Sequence, residues 1–238
     1  MLRIFVFIWF ACFFILLLGC DHEKECGVYR LKRQVDLQNA NGGDATFSYN
    51  TDGLLEKVSG RYQRDDKFFY DNNGQLIRTE AGSELDAVLL YAYDAAGRVI
   101  SMYHDAAYID STVFLYDDSN RIIKALFYRI NPEPLYYYEI EYPDASTVKK
   151  SVYLRNTDTK ELELGYVDVY TLDNNRRPHP QEYYLYQFPK EEVFLPHNAI
   201  SVQTTYDGGR VITKSFTYNV GGYPVSEDDI FTYEYSCE

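Results

Sequence analysis

The sequence has few of the residues on which metal-dependent and nucleophilic enzymes rely. Its 238 residues include four histidines and four cysteines. None lies in a His-x-x-x-His, Cys-x-x-Cys or Glu-His pattern typical of zinc sites. No Gly-x-Ser-x-Gly segment marks a nucleophile, and the glycine pairs at 208–209 and 221–222 precede predicted strands, not phosphate-binding helices. We therefore expect no metal, no cofactor and no catalytic residue.

Tryptophan, basic charge and flexible linkers are also scarce. The single tryptophan, Trp9, lies within the first 20 residues, whereas all 25 tyrosines lie beyond them. The net charge is −13, with 36 acidic and 23 basic side chains, which argues against nucleic acid and anionic lipid headgroups as partners. No stretch rich in Gly or Ser divides the chain, so one main domain is expected.

The longest apolar run stands at the start of the chain and predicts a signal peptide. Arg3 is followed by 15 nearly unbroken apolar residues, Ile4 to Leu18. A helix needs ~20 such residues to span a bilayer. The run ends in Leu17-Leu18-Gly19-Cys20, which resembles a bacterial lipobox. That resemblance implies cleavage before Cys20 and acylation of its thiol, the alternative being an uncleaved anchor with a chance cysteine.

We expect three segments: a signal peptide at 1–19, an acylated acidic leader at 20–27 and a single all-β domain at 28–238. Cleavage would remove Arg3 and leave 219 of the 238 residues with a net charge of −14. Asp21 resembles an inner-membrane retention signal of some bacteria, while acidic leaders resemble surface-export signals in others. The leader alone does not choose between the membranes. Our expectation is a cell-envelope lipoprotein of the outer membrane, periplasmic or surface-exposed.

A repeated tyrosine-turn unit organises the rest of the chain. Its clearest copy, residues 91–100, combines Tyr-Asp, a turn closed by glycine and an apolar pair. The Asp can cap its own turn, and glycine adopts a positive φ angle without steric cost. The tyrosines that begin these units, which we call the anchor tyrosines, are spaced 21, 23 and 23 residues apart. This spacing leaves room for one hairpin per repeat. The anchor tyrosines are Tyr49, Tyr70, Tyr93 and Tyr116.

Other copies of the unit are more degenerate. Those at 49–55 and 206–212 are interpreted as having a shorter turn, and 218–222 closes the series. The unit resembles the YD repeat of RHS-type proteins, roughly Tyr-x-Tyr-Asp-x-x-Gly-Arg-hydrophobic, over about 45–125 and more loosely over 200–225. Known YD-repeat proteins build long β-sheet shells, some around secreted toxins. This chain is too short for such a shell, and is most similar to short bacterial lipoproteins with degenerate YD-type repeats.

Alternation of side chains predicts the fold class. Tyr136, Tyr138, Ile140 and Tyr142 share one face of a predicted strand, and no helical spacing of apolar residues is visible. We predict an all-β fold, a long antiparallel meander of hairpins forming a curled sheet or open barrel. Mixed, acidic outward faces and the non-aromatic ending Ser236-Cys237-Glu238 oppose a lipid-embedded outer-membrane barrel.

The repeat pattern breaks between 172 and 199, which holds four of the eight prolines. We interpret this stretch as loops around an edge or short strand at Glu182–Phe188. Irregular loops carry binding more often than strands do, so Tyr183, Tyr184 and Tyr186 are candidate ligand-binding residues. The competing explanation for the many tyrosines is that tyrosine pairs well across strands.

Two cysteines remain once Cys12 is cleaved off and Cys20 is acylated. In an oxidising compartment we expect Cys26 and Cys237 to form a disulfide, the alternatives being two free thiols or an intermolecular bridge. The bond would tie the first strand to the last, which we interpret as the two free edges of the sheet. It could therefore curl the sheet toward closure.

The leading functional prediction is a non-enzymatic binding or structural β-module, anchored in the bilayer through Cys20, with a glycan or protein ligand and no nucleic acid. The alternative is a carbohydrate-active enzyme or glycan-binding lipoprotein that uses loop carboxylates and the Tyr-rich face. Paired acids with raised pKa values in a pocket would favour an enzyme. The acidic clusters Asp65-Asp66, Asp117-Asp118 and Glu227-Asp228-Asp229 are interpreted as solvated turns, not calcium sites.

Overall fold

The computed structural model describes residues 27–38, 43–60, 65–82, 88–105, 110–129, 132–187, 192–206 and 208–237. These ranges contain seventeen β-strands and one short helix, which confirms the all-β prediction. The strands are β1 (Tyr29–Asp36), β2 (Ala45–Tyr49), β3 (Leu55–Ser59), β4 (Asp65–Tyr70), β5 (Leu76–Glu80), β6 (Val88–Tyr93), β7 (Val99–His104), β8 (Asp110–Tyr116), β9 (Ile122–Arg129), β10 (Pro134–Asp144), β11 (Thr147–Arg155), β12 (Leu162–Leu172), β13 (Ala199–Thr204), β14 (Val211–Thr213), β15 (Phe216–Tyr218), β16 (Pro224–Glu227) and β17 (Phe231–Cys237), and the helix is α1 (Gln181–Gln187).

The strands form one antiparallel meander. Each strand from β1 to β14 pairs with the next, β15 to β17 continue the series, and β1 also pairs with β17, from Tyr29 opposite Cys237 to Asp36 opposite Phe231. The interpretation of the first and last strands as free edges is therefore wrong. Curling brings the two chain ends together, where each satisfies the backbone groups of the other. β14 pairs with β13 and β15 with β16, so the sheet is curled but not closed.

Each predicted repeat is one hairpin, as the spacing of the tyrosines indicated. β2–β3, β4–β5, β6–β7 and β8–β9 are the four hairpins. In every one, the anchor tyrosine ends the first strand, and a buried apolar residue begins the second. Those buried residues are Leu55, Leu76, Val99 and Ile122. The strands thus place their inward side chains in one contiguous core.

A helix, not a strand, occupies the irregular stretch. Gln181–Gln187 is α1, so the predicted strand at Glu182–Phe188 is wrong. Pro180 precedes the helix, a position that suits proline because the first turn leaves its N–H groups without intrahelical acceptors. Tyr183, Tyr184 and Leu185 are buried. We attribute the helical form to the need to bury three consecutive side chains, because a helix directs successive side chains in several directions and a strand in only two.

The helix and the segment after it fill the inside of the curled sheet. Ring contacts join Tyr183 to Phe47 of β2 at 5.4 Å and Phe194 to Tyr170 of β12 at 5.9 Å between centroids. His179, just before α1, lies 5.9 Å from Tyr233 of β17. These strands are far apart in the meander. We call residues 173–187 and 192–198 the plug, because they pack against strands from several parts of the sheet.

The predicted signal peptide, Cys20 and Cys26 lie outside the described residues. Cys237 is disulfide-bonded, and its partner also lies outside them. Cys237 pairs across the ladder with Tyr29, three residues after Cys26. The pairing of Cys26 with Cys237 thus stays a prediction. Across the described ranges, no helix has the length and apolar character needed to cross a membrane.

Candidate functional site

The repeat turns share one construction. In the turn after Tyr93, Asp94 Oδ1 accepts hydrogen bonds from the N–H groups of Ala96 and Arg98, both at 2.9 Å, and Gly97 has φ of +80°. Equivalent pairs of bonds are accepted by the side chains of Asn50, Asp71, Asp117 and Asn219. The turn after Tyr49 therefore has the same length as the others, and the prediction of a shorter one is wrong.

These hydrogen bonds stabilise the charged form of each turn carboxylate. The backbone N–H of Gln75 is the main cause that holds the pKa of Asp71 below its usual value, and the N–H of Arg98 does so for Asp94. At Asp117, the N–H of Arg121 lowers the pKa in the same way. The turn aspartates act as structural caps. For Asp117 this agrees with the interpretation of Asp117-Asp118 as a turn, whereas Asp65 and the buried Asp66 lie in β4, so the interpretation of that cluster as a solvated turn is wrong.

Tyrosine hydroxyls connect each repeat to the one before it. The hydroxyl of Tyr93 donates to the carbonyl of Leu76 at 2.7 Å, and that carbonyl belongs to the first residue after the preceding turn. We call this bond and four similar ones the tyrosine ladder; at its two ends, the acceptor Leu31 lies within β1 and the donor Tyr142 lies within β10. Its members are Tyr49 to Leu31, Tyr70 to Leu55, Tyr93 to Leu76, Tyr116 to Val99 and Tyr142 to Ile122. Burial raises the pKa of Tyr93 and of Tyr116 to about 12, so the hydroxyls stay protonated and can donate.

Arginines reinforce the ladder at two repeats. Arg98 donates from Nε to Asp94 Oδ2 at 2.7 Å, and its guanidinium lies 4.8 Å from the ring centroid of Tyr116 in the next repeat. Arg121 makes the same pair of contacts with Asp117 and Tyr142. The Asp-x-x-x-Arg spacing of the unit could have indicated the ion pair. No neighbouring residue in the sequence indicates that the guanidinium also contacts the tyrosine of the following repeat.

A cavity of about 960 Å³ opens at the end of the sheet where these turns meet. We call it the turn-end cavity. The repeat turns form one side, through Gly53, Gly74, Gly97 and Asn120, and the plug forms the other. Seven tyrosines line it: Tyr29, Tyr49, Tyr93, Tyr116, Tyr142, Tyr184 and Tyr223. Tyrosine is thus the most frequent residue type in its described wall.

Arginine dominates the charge of this cavity, although the whole chain is acidic. Five arginines, Arg30, Arg98, Arg121, Arg176 and Arg177, and one carboxylate, Glu182, line its described wall. Arg98 and Arg121 are neutralised by their turn aspartates. Within the described ranges, neither Arg176 nor Arg177 has a carboxylate at ion-pair distance, and sequence reasoning missed both.

The two plug arginines are held by neutral groups. Arg177 donates from Nη1 to the carbonyl of Glu192 at 2.8 Å, and its guanidinium lies 3.4 Å from the ring centroid of Tyr184. Arg176 donates from Nη1 to the hydroxyl of Tyr223 at 2.6 Å. These contacts fix the guanidinium groups without cancelling their charge.

The three predicted ligand-binding tyrosines are divided by the helix. Tyr184 lines the turn-end cavity. Tyr183 is 1% exposed and packs on Phe47 and His179, while Tyr186 packs on Phe68 of β4. Only 3% of Tyr184 is exposed, however, so Tyr183 and Tyr184 are both core residues and Tyr184 forms the wall of the cavity mainly as the ring beneath Arg177. Their role in binding stays a prediction.

A second charged cluster lies inside the sheet. Lys150 Nζ is 3.0 Å from Asp168 Oδ2 and 3.2 Å from Glu192 Oε1, and Tyr170 donates its hydroxyl to Glu192 at 2.9 Å. Burial lowers the pKa of Lys150, but the two carboxylates outweigh it and raise the pKa overall. None of the three charged residues lines the turn-end cavity. The cluster ties the plug, through Glu192, to β11 and β12.

Histidine, cysteine and acidic side chains are not grouped for metal binding in the described ranges. No group of three His, Cys, Asp or Glu side chains there is placed to hold a metal ion. His179 and His197 are near the cavity, and both make hydrogen bonds: Nε2 of His179 to Gln34 and Nδ1 of His197 to the carbonyl of Asn175. Both histidines thus have structural contacts.

Comparison with known proteins shows what the repeats resemble. Residues 35–141 match the family model described as the teneurin YD-shell. The chain therefore carries YD-type repeats, as the sequence resemblance implied. No curated protein sequence matches the chain.

Among solved structures, a porin-like protein from Bacteroides uniformis has the same overall fold. The TM-score is 0.54 at 11% identity, over 82% of this chain and 89% of that one. A porin-like protein from Bacteroides vulgatus has a TM-score of 0.41 at 10% identity, over 88% and 99%. The structure of TcdB2-TccC3-TEV has a TM-score of 0.34 at 16% identity, over 82% of this chain and 10% of that one.

Proposed function

Starting from a chain of YD-type repeats curled around its own plug, we propose a lipid-anchored, non-enzymatic binding module of the bacterial cell envelope. The β-structural character of the module is established by its repeats and sheet. The anchoring, the envelope location and the binding role are our proposal. The turn-end cavity carries it, because it is large, aromatic and lined by fixed arginines.

The charges of the cavity support binding over catalysis. Glu182 is the one carboxylate on its described wall, whereas acid–base hydrolysis of glycosides requires a pair. Asp168 and Glu192, the two acids that share Lys150, do not line that wall. A cavity whose described wall holds one acid and two unneutralised arginines is better suited to holding a ligand.

The predicted anchor would place the cavity close to the bilayer. Tyr29 opens β1 and lines the turn-end cavity. Cys20 precedes Tyr29 by nine residues. Nine extended residues reach at most about 30 Å, so an acyl group on Cys20 would keep this end of the sheet within that distance of the membrane surface. The porin-like protein from Bacteroides uniformis, which shares the fold, is consistent with an envelope location.

Palmitate labelling in a bacterial host tests the anchor. We expect the wild-type protein to incorporate labelled acyl chains and to fractionate with membranes. Replacing Cys20 by Ala should abolish labelling and leave the unprocessed precursor, since acylation precedes cleavage in the lipobox pathway that the sequence resembles. Cys12→Ala, inside the signal peptide, is the matched control and should label normally. A Cys20→Ala protein that still matures with unchanged membrane affinity would refute the anchor.

A further inference from the structure

From the geometry of the turn-end cavity we infer that its ligand is an acidic oligosaccharide, whose carboxylates face Arg176 and Arg177 while its sugar rings lie on the tyrosines. This inference rests on the proposed binding function and names its ligand. The first observation is charge. In a chain of net charge −13, the described wall of this cavity holds five arginines and one carboxylate.

The second observation is that two of these arginines are preorganised and not neutralised. Arg177 is fixed by the carbonyls of Glu192 and Leu195 and by the ring of Tyr184, and Arg176 by the hydroxyl of Tyr223. Guanidinium groups bind carboxylates through paired, charge-assisted hydrogen bonds. An arginine already held in place loses little side-chain entropy when a ligand carboxylate arrives.

The third observation concerns the tyrosines. Tyr49, Tyr93, Tyr116 and Tyr142 line the cavity, and each donates its hydroxyl proton to a backbone carbonyl of the ladder. Their remaining contribution to a ligand is ring surface and a hydroxyl acceptor. Sugars offer both complements, because their C–H faces stack on aromatic rings and their hydroxyls donate. The volume of about 960 Å³ is near the upper end of ordinary ligand pockets, which suits several sugar rings.

Substitution of Glu182 provides a test in which the expected change in affinity has the opposite sign. Glu182 lines the described wall of the cavity together with Tyr93 and the arginines. Burial, and after it the nearby Glu182 carboxylate, raises the pKa of the Tyr93 hydroxyl. For an anionic ligand this residue is unfavourable, and for a cationic one it would be an anchor. Loss of an arginine and loss of Glu182 should therefore change the affinity in opposite directions, which a general loss of folding would not do.

The experiment is titration calorimetry of the full-length protein in detergent micelles. The probes are a tetrasaccharide of galacturonic acid, its fully methyl-esterified neutral form, and inorganic phosphate. We expect the acid to bind and the ester to bind at least about tenfold more weakly, the order of losing a hydrogen bond to a charged group. Equal binding of acid and ester, or no binding of the acid, would overturn the inference. Phosphate binding as tight as the acid would mean that charge alone is recognised, and would overturn the sugar assignment.

Variants locate the site. Arg176→Gln should weaken binding of the acid by about tenfold, and Glu182→Gln should strengthen it. Arg155→Gln is the control, because it removes one arginine charge at a residue that donates to the carbonyls of Lys160 and Pro134 and lies outside the cavity wall, so the affinity of this variant should equal wild type. Equal losses in Arg176→Gln and Arg155→Gln would place the ligand elsewhere.

Mass spectrometry of the recovered tetrasaccharide separates the two proposals. Cleaved sugar would refute the non-enzymatic function while leaving the ligand assignment intact, and intact sugar without binding would refute the ligand alone.

Discussion

The tyrosine ladder predicts that a single hydroxyl in the middle of the repeats contributes measurably to stability. Tyr93→Phe removes the 2.7 Å hydrogen bond to the carbonyl of Leu76 and keeps the ring. A hydrogen bond contributes about 0.5–1.5 kcal/mol net, and an acceptor left without a partner adds to the loss. Because Tyr93 is half-buried, water can partly replace the hydroxyl, and we expect a loss of about 1–2 kcal/mol.

Urea and thermal unfolding followed by far-UV circular dichroism measure this loss. For a chain of this size, it corresponds to a fall in Tm of about 2–8 °C. Tyr103→Phe is the matched control, because Tyr103 lies on the neighbouring strand β7 with 41% of its surface exposed and has no hydrogen bond from its hydroxyl within the described ranges. That control should stay within about 0.5 kcal/mol of wild type. Equal stability of the two variants would refute the ladder as a source of stability.

Three further predictions concern the turns and the buried cluster. Gly97→Val should destabilise more than an ordinary surface change, because Gly97 has φ of +80°, and unfolding at wild-type urea concentrations would contradict this. The depressed pKa of Asp94 means that its stabilisation is complete above its unfolded pKa of about 4 and is lost as the pH falls through the lower folded value. Asp94→Asn should therefore flatten the acid limb of the stability profile, and an unchanged limb would count against the cap. Lys150→Met should lower the free energy of unfolding by about 3–5 kcal/mol, because it leaves Asp168 and Glu192 without a counter-charge. Lys149→Met, which breaks an exposed pair, should cost less than about 1 kcal/mol, and similar costs for the two lysines would refute the assignment.

Local chemistry explains which features could be predicted from the sequence. The capped turns depend on residues four apart, so Asp94 and Gly97 indicated both the hairpin and the positive φ angle. Each tyrosine of the ladder donates to a carbonyl 15–20 residues earlier in the chain. A short stretch of sequence therefore indicates neither the acceptor residue nor the hydrogen bond. Pairing of β1 with β17 is longer in range still.

The helix of the plug is the feature that the sequence predicted least well, and the reason is physical. Seven residues are too few to show helical periodicity, and an isolated helix of this length is not stable in water. Its helical form depends on partners such as Phe47 and Phe68 on distant strands. The candidate site has the same origin, since Arg177 reaches the cavity because the plug folds back into the sheet. No adjacent residues indicate that juxtaposition.

The central claim is that the chain fills its own curled sheet and leaves the turn-end cavity as the place for a ligand. Hydrogen exchange of the native protein, followed by mass spectrometry, tests it most directly. Peptides covering α1 (Gln181–Gln187) and the buried residues Val193, Phe194 and Leu195 should exchange as slowly as peptides from β4 and β12, because they open only with the sheet. Exchange of the plug within seconds, alongside protected strands, would contradict the account.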